Sequence, residues 1–292
     1  MGIRKVVITA AGLGTRLLPT TKEMPKEMLP IFSMNRSLGL TLKPVLQLIF
    51  EQLYDAGFRE FCFIVGRGKR NVEDHFTPDY GYVELLEKRG KPKLASQLQE
   101  FYEKIESSVI IWVNQPEPKG FGDAVLKAEP FVGDEPFLVH AGDTYIFSNN
   151  NSHLLRLLRH HESRKTTAIL TLKEIREPQK IYGCAIVEYE GSIMRVKRVI
   201  EKPEKPPSNL AIMPIYIFEP DIFKAIRETA PGIGGEIQLT DAIQRLIDWR
   251  QPVEAMKLHD DEIRLDVGTP ETYWEALKLS YESSMGSDVS IK

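Results

Sequence analysis

The apolar positions of this chain follow two periods in turn. β-branched and aromatic runs at 6–11, 58–65, 109–113, 136–141 and 166–172 predict buried strands. Between them, residues 44–56, 69–75, 93–107, 122–128 and 151–163 space their apolar side chains three and four apart, which predicts helices. Val45, Leu48, Ile49 and Leu53 form one such stripe, and Gly57 is placed to cap its end. Strands alternating with helices predict an α/β fold: a mostly parallel sheet flanked by helices on both faces.

The pattern changes after residue 183. Segments 184–189 and 193–199 flank Glu190-Gly191, a hairpin signal. Residues 210–218, 253–257 and 262–266 read as further strands, and 221–229, 238–249 and 271–284 as helices. The expectation is a single domain over 1–285, with a first half to about 150, a smaller β-rich part in the second half, and a polar tail at 286–292. The Pro- and Lys-rich stretch 202–207 is too short to separate independent domains.

Composition narrows the function. A length of 292 residues with 42% hydrophobic content supplies a sizeable core. A formal net charge of −3 argues against nucleic acid or an anionic membrane as partner. No run reaches the roughly 18 apolar residues of a membrane span, and the N-terminus lacks a signal-peptide pattern. Cys62 and Cys184 lie in apolar strand-like segments without a CxxC or histidine neighbour. They read as buried thiols of a cytoplasmic protein.

The first strand runs into Ala11-Gly-Leu-Gly-Thr-Arg16, and Lys26 follows. Small residues let a backbone approach a ligand, exposed amides cradle an anion, and the two cations add charge. Leu17 stands where a dinucleotide G-x-G-x-x-G loop needs its third glycine, and no Gly-Lys-Ser/Thr follows. Hydride transfer and P-loop ATPase chemistry therefore lose their support. The bland reading, a tight turn with no ligand, leaves Arg16 and Lys26 without an anion between them.

In an open sheet, ligands lie beyond the carboxyl ends of the strands. Four sets of residues are expected there: 12–16, Gln115 with Gly120 and Gly122, Asp143, and Asp266 after 262–265. Asp143 and Asp266 together suit one Mg²⁺, completed by phosphate oxygens and water, whereas either alone reads as a turn or capping aspartate. Glu201-Lys202 is either solvated surface or a binder of sugar and phosphate. The six histidines show no metal-ligand spacing, and His160 and His161 read as surface beside Arg159. No Ser/His/Asp or Cys/His order suggests covalent catalysis.

Ala10-Ala-Gly-Leu-Gly-Thr-Arg-Leu-Leu-Pro19 with Pro25-Lys-Glu-Met-Leu-Pro30 resembles the signature of the sugar-1-phosphate nucleotidyltransferases, closest to bacterial-type UTP–glucose-1-phosphate uridylyltransferases. The likeness continues through 65–76, Gln115 to Val125, Tyr182-Gly183, Glu201-Lys-Pro203 and Gly235-Glu-Ile-Gln-Leu-Thr-Asp-Ala-Ile243. It implies a Rossmann-like, GT-A-like nucleotidyltransferase core, a mixed, mostly parallel sheet flanked by helices, with a small β-rich sugar-binding subdomain in the second half. The implied reaction is Mg²⁺-dependent uridylyl transfer from UTP to glucose 1-phosphate, giving UDP-glucose and pyrophosphate. By the same resemblance Ala11, Gly12 and Gly14 line the nucleotide, and Arg16 holds the departing phosphates. Lys26 contacts the reacting phosphates. Glu27 and Gln115 help read the base beside Gly120. Gly183, Glu201 and Lys202 hold the sugar phosphate, and Asp143 and Asp266 the metal. A homo-oligomer, dimer or tetramer, is expected. The alternatives are thymidylyl transfer from dTTP and a non-catalytic nucleotide-sugar sensor.

Three departures stand out. Residues 33–42 are longer than is usual, suggesting an added turn near the nucleotide mouth or an oligomer contact. Asp123 stands where the uridylyl family commonly has histidine. Pro214-Ile215 replaces the usual Gly-Arg.

Overall fold

The computed structural model describes residues 2–35, 37–175 and 182–286. The predicted polar tail, beyond Gly286, lies outside them. In chain order the strands are β1 (Lys5–Ala10), β2 (Pro30–Asn35), β3 (Gly39–Pro44), β4 (Glu60–Gly66), β5 (Val109–Gln115), β6 (Phe137–Ala141) and β7 (Thr144–Phe147). They continue with β8 (Ala168–Glu174), β9 (Cys184–Glu190), β10 (Ile193–Ile200), β11 (Leu210–Phe218), β12 (Val253–Lys257) and β13 (Ile263–Asp266).

Nine strands form one sheet in the order β5-β4-β1-β6-β11-β8-β12-β10-β9. The first four are parallel, as the alternation of strands and helices predicts. β11 then runs antiparallel between β6 and β8, so the sheet is mixed. β9 and β10 form the predicted hairpin at the far edge.

Both faces of the sheet are covered, and the period of two in β1 shows how. Val6 and Ile8 join one buried cluster and Val7 the other. The first cluster is rich in aromatic contacts: Phe50 lies 4.8 Å from Phe61, and Phe63 stacks on Trp112 at 4.7 Å. Each such buried ring contributes roughly 1.5–3 kcal/mol of burial energy, so this layer firmly fixes the strand ends that carry the loops above it. Cys62 and Cys184 are buried free thiols, and burial pushes Cys62 up to about 12.

Two small sheets depart from expectation. Residues 33–35 and 37–42 belong to the β2–β3 hairpin, where Asn35 Oδ1 accepts from the Ser37 and Leu38 amides at 2.8 and 3.0 Å. The hairpin docks on the last helix, Pro270–Ser284: the Phe32 amide donates to Ser280 Oγ, Tyr273 Oη donates to the Pro30 carbonyl, and Phe32 meets Tyr281 edge-on at 5.3 Å. None of the described residues among 31–44 lines the principal cleft. The second small sheet pairs β13 with β7, antiparallel. Asp266 therefore does not end a strand of the main sheet, as the sequence suggests. It sits on a two-stranded ribbon laid over the sheet's rim.

Candidate active site

A cleft of about 610 Å³ opens over the carboxyl ends of β1, β5 and β6. Ala11, Gly12, Gly14, Arg16, Lys26, Glu27, Gln115, Gly120, Asp143, Gly183, Glu201, Lys202 and Asp266 all line it. Of the rim residues that the sequence nominates, Gly122 alone does not line the cleft, its amide being turned to the Ile237 carbonyl.

The loop after β1 turns at Gly14, whose φ of 66° is costly for any residue with a Cβ. Thr21 Oγ1 donates to the Gly14 carbonyl at 2.7 Å and holds the turn. A side chain at Gly12 would sit 3.4 Å from Lys26 Cε, so glycine there leaves the lysine its path into the cleft. Arg16 is exposed and has no carboxylate partner among the described residues.

Lys26 Nζ lies 2.5 Å from Asp143 Oδ2. Burial pulls the lysine down, but the charges of Asp143 and Glu27 more than offset it and hold the ammonium above its ordinary value. Burial likewise pushes Asp143 up, and Lys26 and Arg264 outweigh it, leaving the carboxyl below the usual range. Below them Glu27, 1% exposed, accepts from Lys69 Nζ at 2.7 Å. Burial is the larger influence on Glu27 and leaves it raised despite both lysines.

The β7–β13 register pairs Asp266 with Thr144, and that pairing sets the second carboxylate beside Asp143. Thr144 Oγ1 stands 3.4 Å from both. The Gly268 amide and Thr272 Oγ1 donate to Asp266 Oδ1, and Arg264 Nη2 lies 2.5 Å from Oδ2. Among the described residues no cluster of three metal-ligating side chains occurs. Two carboxylates are the donor set that a Mg²⁺ sharing its sphere with phosphate and water requires, so these residues fit that ion.

On one wall of the cleft, Gly120 has φ 104°, and a Cβ on it would lie 2.7 Å from the Ile237 carbonyl oxygen. The Gly122 amide donates to that carbonyl, and the Ile237 amide to the Lys119 carbonyl. Two distant motifs, 119–122 and 235–243, are thus stitched backbone to backbone. Gln115 Nε2 donates to Asp123 Oδ2 at 2.8 Å and to the Gly120 carbonyl at 3.2 Å.

On the opposite side Glu201 accepts from Thr240 Oγ1 at 2.6 Å and pairs with Lys202 at 3.2 Å. A side chain at Gly183 would meet Glu201 and Thr240 at 3.1 and 3.3 Å. Pro214 also lines the cleft. It falls in a register shift of β11 between Met213 and Tyr216, where a missing N–H breaks no ladder.

Some cleft residues went unnominated. Arg264, bonded through Nη1 to Tyr182 Oη at 2.7 Å, is one; its signal is the alternation that sets it on the same face as Asp266. Thr144 and Thr240 had no local signal. His160 and His161, expected at the surface, are partly buried against Glu254 and Glu219.

The chain matches the model of a family described as nucleotidyl transferase over residues 5–283. It is 40% identical over 249 residues to the UTP–glucose-1-phosphate uridylyltransferase of Bacillus subtilis, covering 84% of this chain and 80% of that one. It is 36% identical over 285 residues to the enzyme of the same name from Pseudomonas aeruginosa, covering 96% and 97%. Among solved structures, a UDP-glucose pyrophosphorylase complexed with UDP-glucose superposes with a TM-score of 0.79 at 32% identity, covering 96% and 99%.

Proposed function

This chain belongs to the nucleotidyl transferase family, and from that premise we propose that it transfers the uridylyl group of UTP to glucose 1-phosphate, giving UDP-glucose and pyrophosphate. The observation that carries this reading is the convergence in one cleft of Arg16, Lys26–Asp143 and Arg264–Asp266, with Lys202 on the facing wall. A site of this charge suits two polyanions.

In this reading the sugar phosphate oxygen attacks the α-phosphorus, and the bond from that phosphorus to the β-phosphate oxygen breaks. The attacking oxygen is already anionic, so no general base is needed. The work is positioning and charge neutralisation. Lys202 holds the sugar phosphate beside Glu201 and Gly183. Lys26 lies against the α-phosphate, and Arg16 takes the leaving pyrophosphate. Ala11, Gly12 and Gly14 bring backbone amides to the triphosphate. Gln115 meets the base edge beside Gly120, whereas Glu27, which the resemblance assigns to the base as well, is buried against Lys69 and steadies the floor beneath Lys26 instead. Asp143 and Asp266 would hold Mg²⁺, which when bound neutralises phosphate charge.

The first half of the chain is then the nucleotide side and 151–285 the sugar side. A homo-oligomer fits the exposed Met34 and Leu42 of the β2–β3 hairpin and the exposed Trp274 of the last helix. Two buried unpaired thiols fit the cytoplasm.

The test is an activity matrix: UTP, dTTP, CTP, ATP and GTP against glucose, galactose and N-acetylglucosamine 1-phosphates, read as pyrophosphate release with Mg²⁺. UTP with glucose 1-phosphate is expected to lead. Because a pocket tells uracil from thymine by one methyl, about 1–3 kcal/mol, a faster dTTP reaction would make the protein a thymidylyltransferase. Binding without turnover would make it a sensor.

A further inference from the structure

Asp123 is buried in the short helix Phe121–Leu126 and carries no part of the chemistry above. Its position controls something else. The amide of Gln115 has one acceptor and two donors, and the end that it turns to a base decides which base edge it reads. Both donors are engaged: one to Asp123 Oδ2, the other to the Gly120 carbonyl. Carboxylate and carbonyl only accept. Reversing the amide would set Gln115 Oε1 against two buried acceptors and break two hydrogen bonds. Among the described residues Oε1 itself accepts no hydrogen bond, and Gln115 lines the cleft. The other oxygen of Asp123, Oδ1, lies 3.2 Å from Lys127 Nζ, which fixes the carboxylate in turn.

We propose that Asp123 is a specificity-setting positioning residue: it locks the Gln115 amide with its acceptor toward the base. The cleft then takes a pyrimidine whose N3 carries a hydrogen, as uracil and thymine do. It rejects cytosine, whose N3 is a bare acceptor. This rests on the reading that Gln115 meets the base, and the two ideas separate experimentally.

The experiment compares kcat/KM for UTP and for CTP, each with glucose 1-phosphate, in four proteins. In Asp123→Asn, Lys127 keeps the new amide's oxygen on its own side, so a donor faces Gln115 and favours the reversed amide. The UTP-to-CTP ratio should fall about tenfold or more, mainly through a raised KM for UTP. Adding Lys127→Ala to Asp123→Asn frees the asparagine to turn its oxygen back, and the ratio should recover. A residue with a merely structural role would show no such rescue. Gln115→Ala should collapse the ratio by itself. If Asp123→Asn keeps the wild-type ratio while Gln115→Ala lowers it, the locking role is wrong and base reading stands. If Gln115→Ala leaves the ratio intact, base reading fails and the locking role with it. Should Asp123→Asn not fold, Asp123→Ser serves, since a hydroxyl that donates or accepts releases the amide and should also lower the ratio; an unchanged ratio there overturns the proposal.

Discussion

Lys26 and Asp143 lie 2.5 Å apart, and each is held in its charged form by the other despite burial. The pair is an ammonium and a carboxylate in direct contact in the wall of the cleft. Lys26→Met should lower kcat for pyrophosphate release by about 10²–10³, the loss expected for one preorganised charge. Asp143→Asn should raise the Mg²⁺ concentration needed for half-maximal rate, read in a Mg²⁺ titration. A variant of either kind with wild-type turnover would remove the pair from the site.

Lys69 and Glu27 form the floor below. Removing the lysine charge leaves a carboxylate of 1% exposure without its nearest partner. Lys69→Met should cost on the order of 3 kcal/mol of stability, measured by denaturant unfolding, and adding Glu27→Gln should return part of it. Glu27 already sits above its ordinary value, so its folded form takes up a proton before its unfolded form does. The deficit in Lys69→Met should therefore shrink as pH falls.

Gly120 tests the stitch between the two motifs. Gly120→Ala adds a Cβ 2.7 Å from the Ile237 carbonyl oxygen at a φ of 104°. The strain, on the order of 1–3 kcal/mol, should appear as a lower Tm and a raised KM for UTP. An unchanged KM with a lowered Tm would detach the stitch from nucleotide binding.

His140 and His153 should add to the fold's sensitivity to acid. Burial lowers His140 to about 4, and burial with the neighbouring His140 lowers His153 to about 3. Their Nε2 atoms are buried and find no partner among the described residues. Above the ordinary histidine value of 6.5 neither state is protonated and nothing is lost. As pH falls below it, the unfolded chain gains protons that the folded chain refuses. Stability should drop by up to about 1.4 kcal/mol per pH unit for each histidine until the folded value is reached. Tm measured at pH 7 and pH 5 should fall less in His140→Leu than in the wild type.

Much of this was legible in the sequence for physical reasons. A β-branched run ending in small residues is readable because strand and cradle are both local, and the same holds for Gln115 at the end of β5. The companion of Asp143 was legible as a residue and as a partner, but the route that brings it there was not. Asp266 reaches it through a four-residue strand that begins at Thr144, directly after a Gly-Asp pair that reads as a turn. The β2–β3 hairpin was hidden because its polar turn and weak alternation read as an insertion. Asp123 was visible only as an odd residue, since its hydrogen bond to Gln115 has no counterpart in periodicity.

Thr144 and Asp266 are separated by 122 positions, yet their pairing completes the charged centre. A ribosome finishes the cradle, Lys26 and Asp143 long before it reaches the second carboxylate. The Thr272 hydroxyl and the Gly268 amide that hold Asp266 come later still. During synthesis the emerging chain carries the Gly12–Arg16 loop, Lys26 and Asp143 before the second carboxylate exists, so in the proposed reaction it has no complete centre until residue 266 has been added. Shortening the protein from its far end should therefore extinguish turnover before it abolishes nucleotide binding.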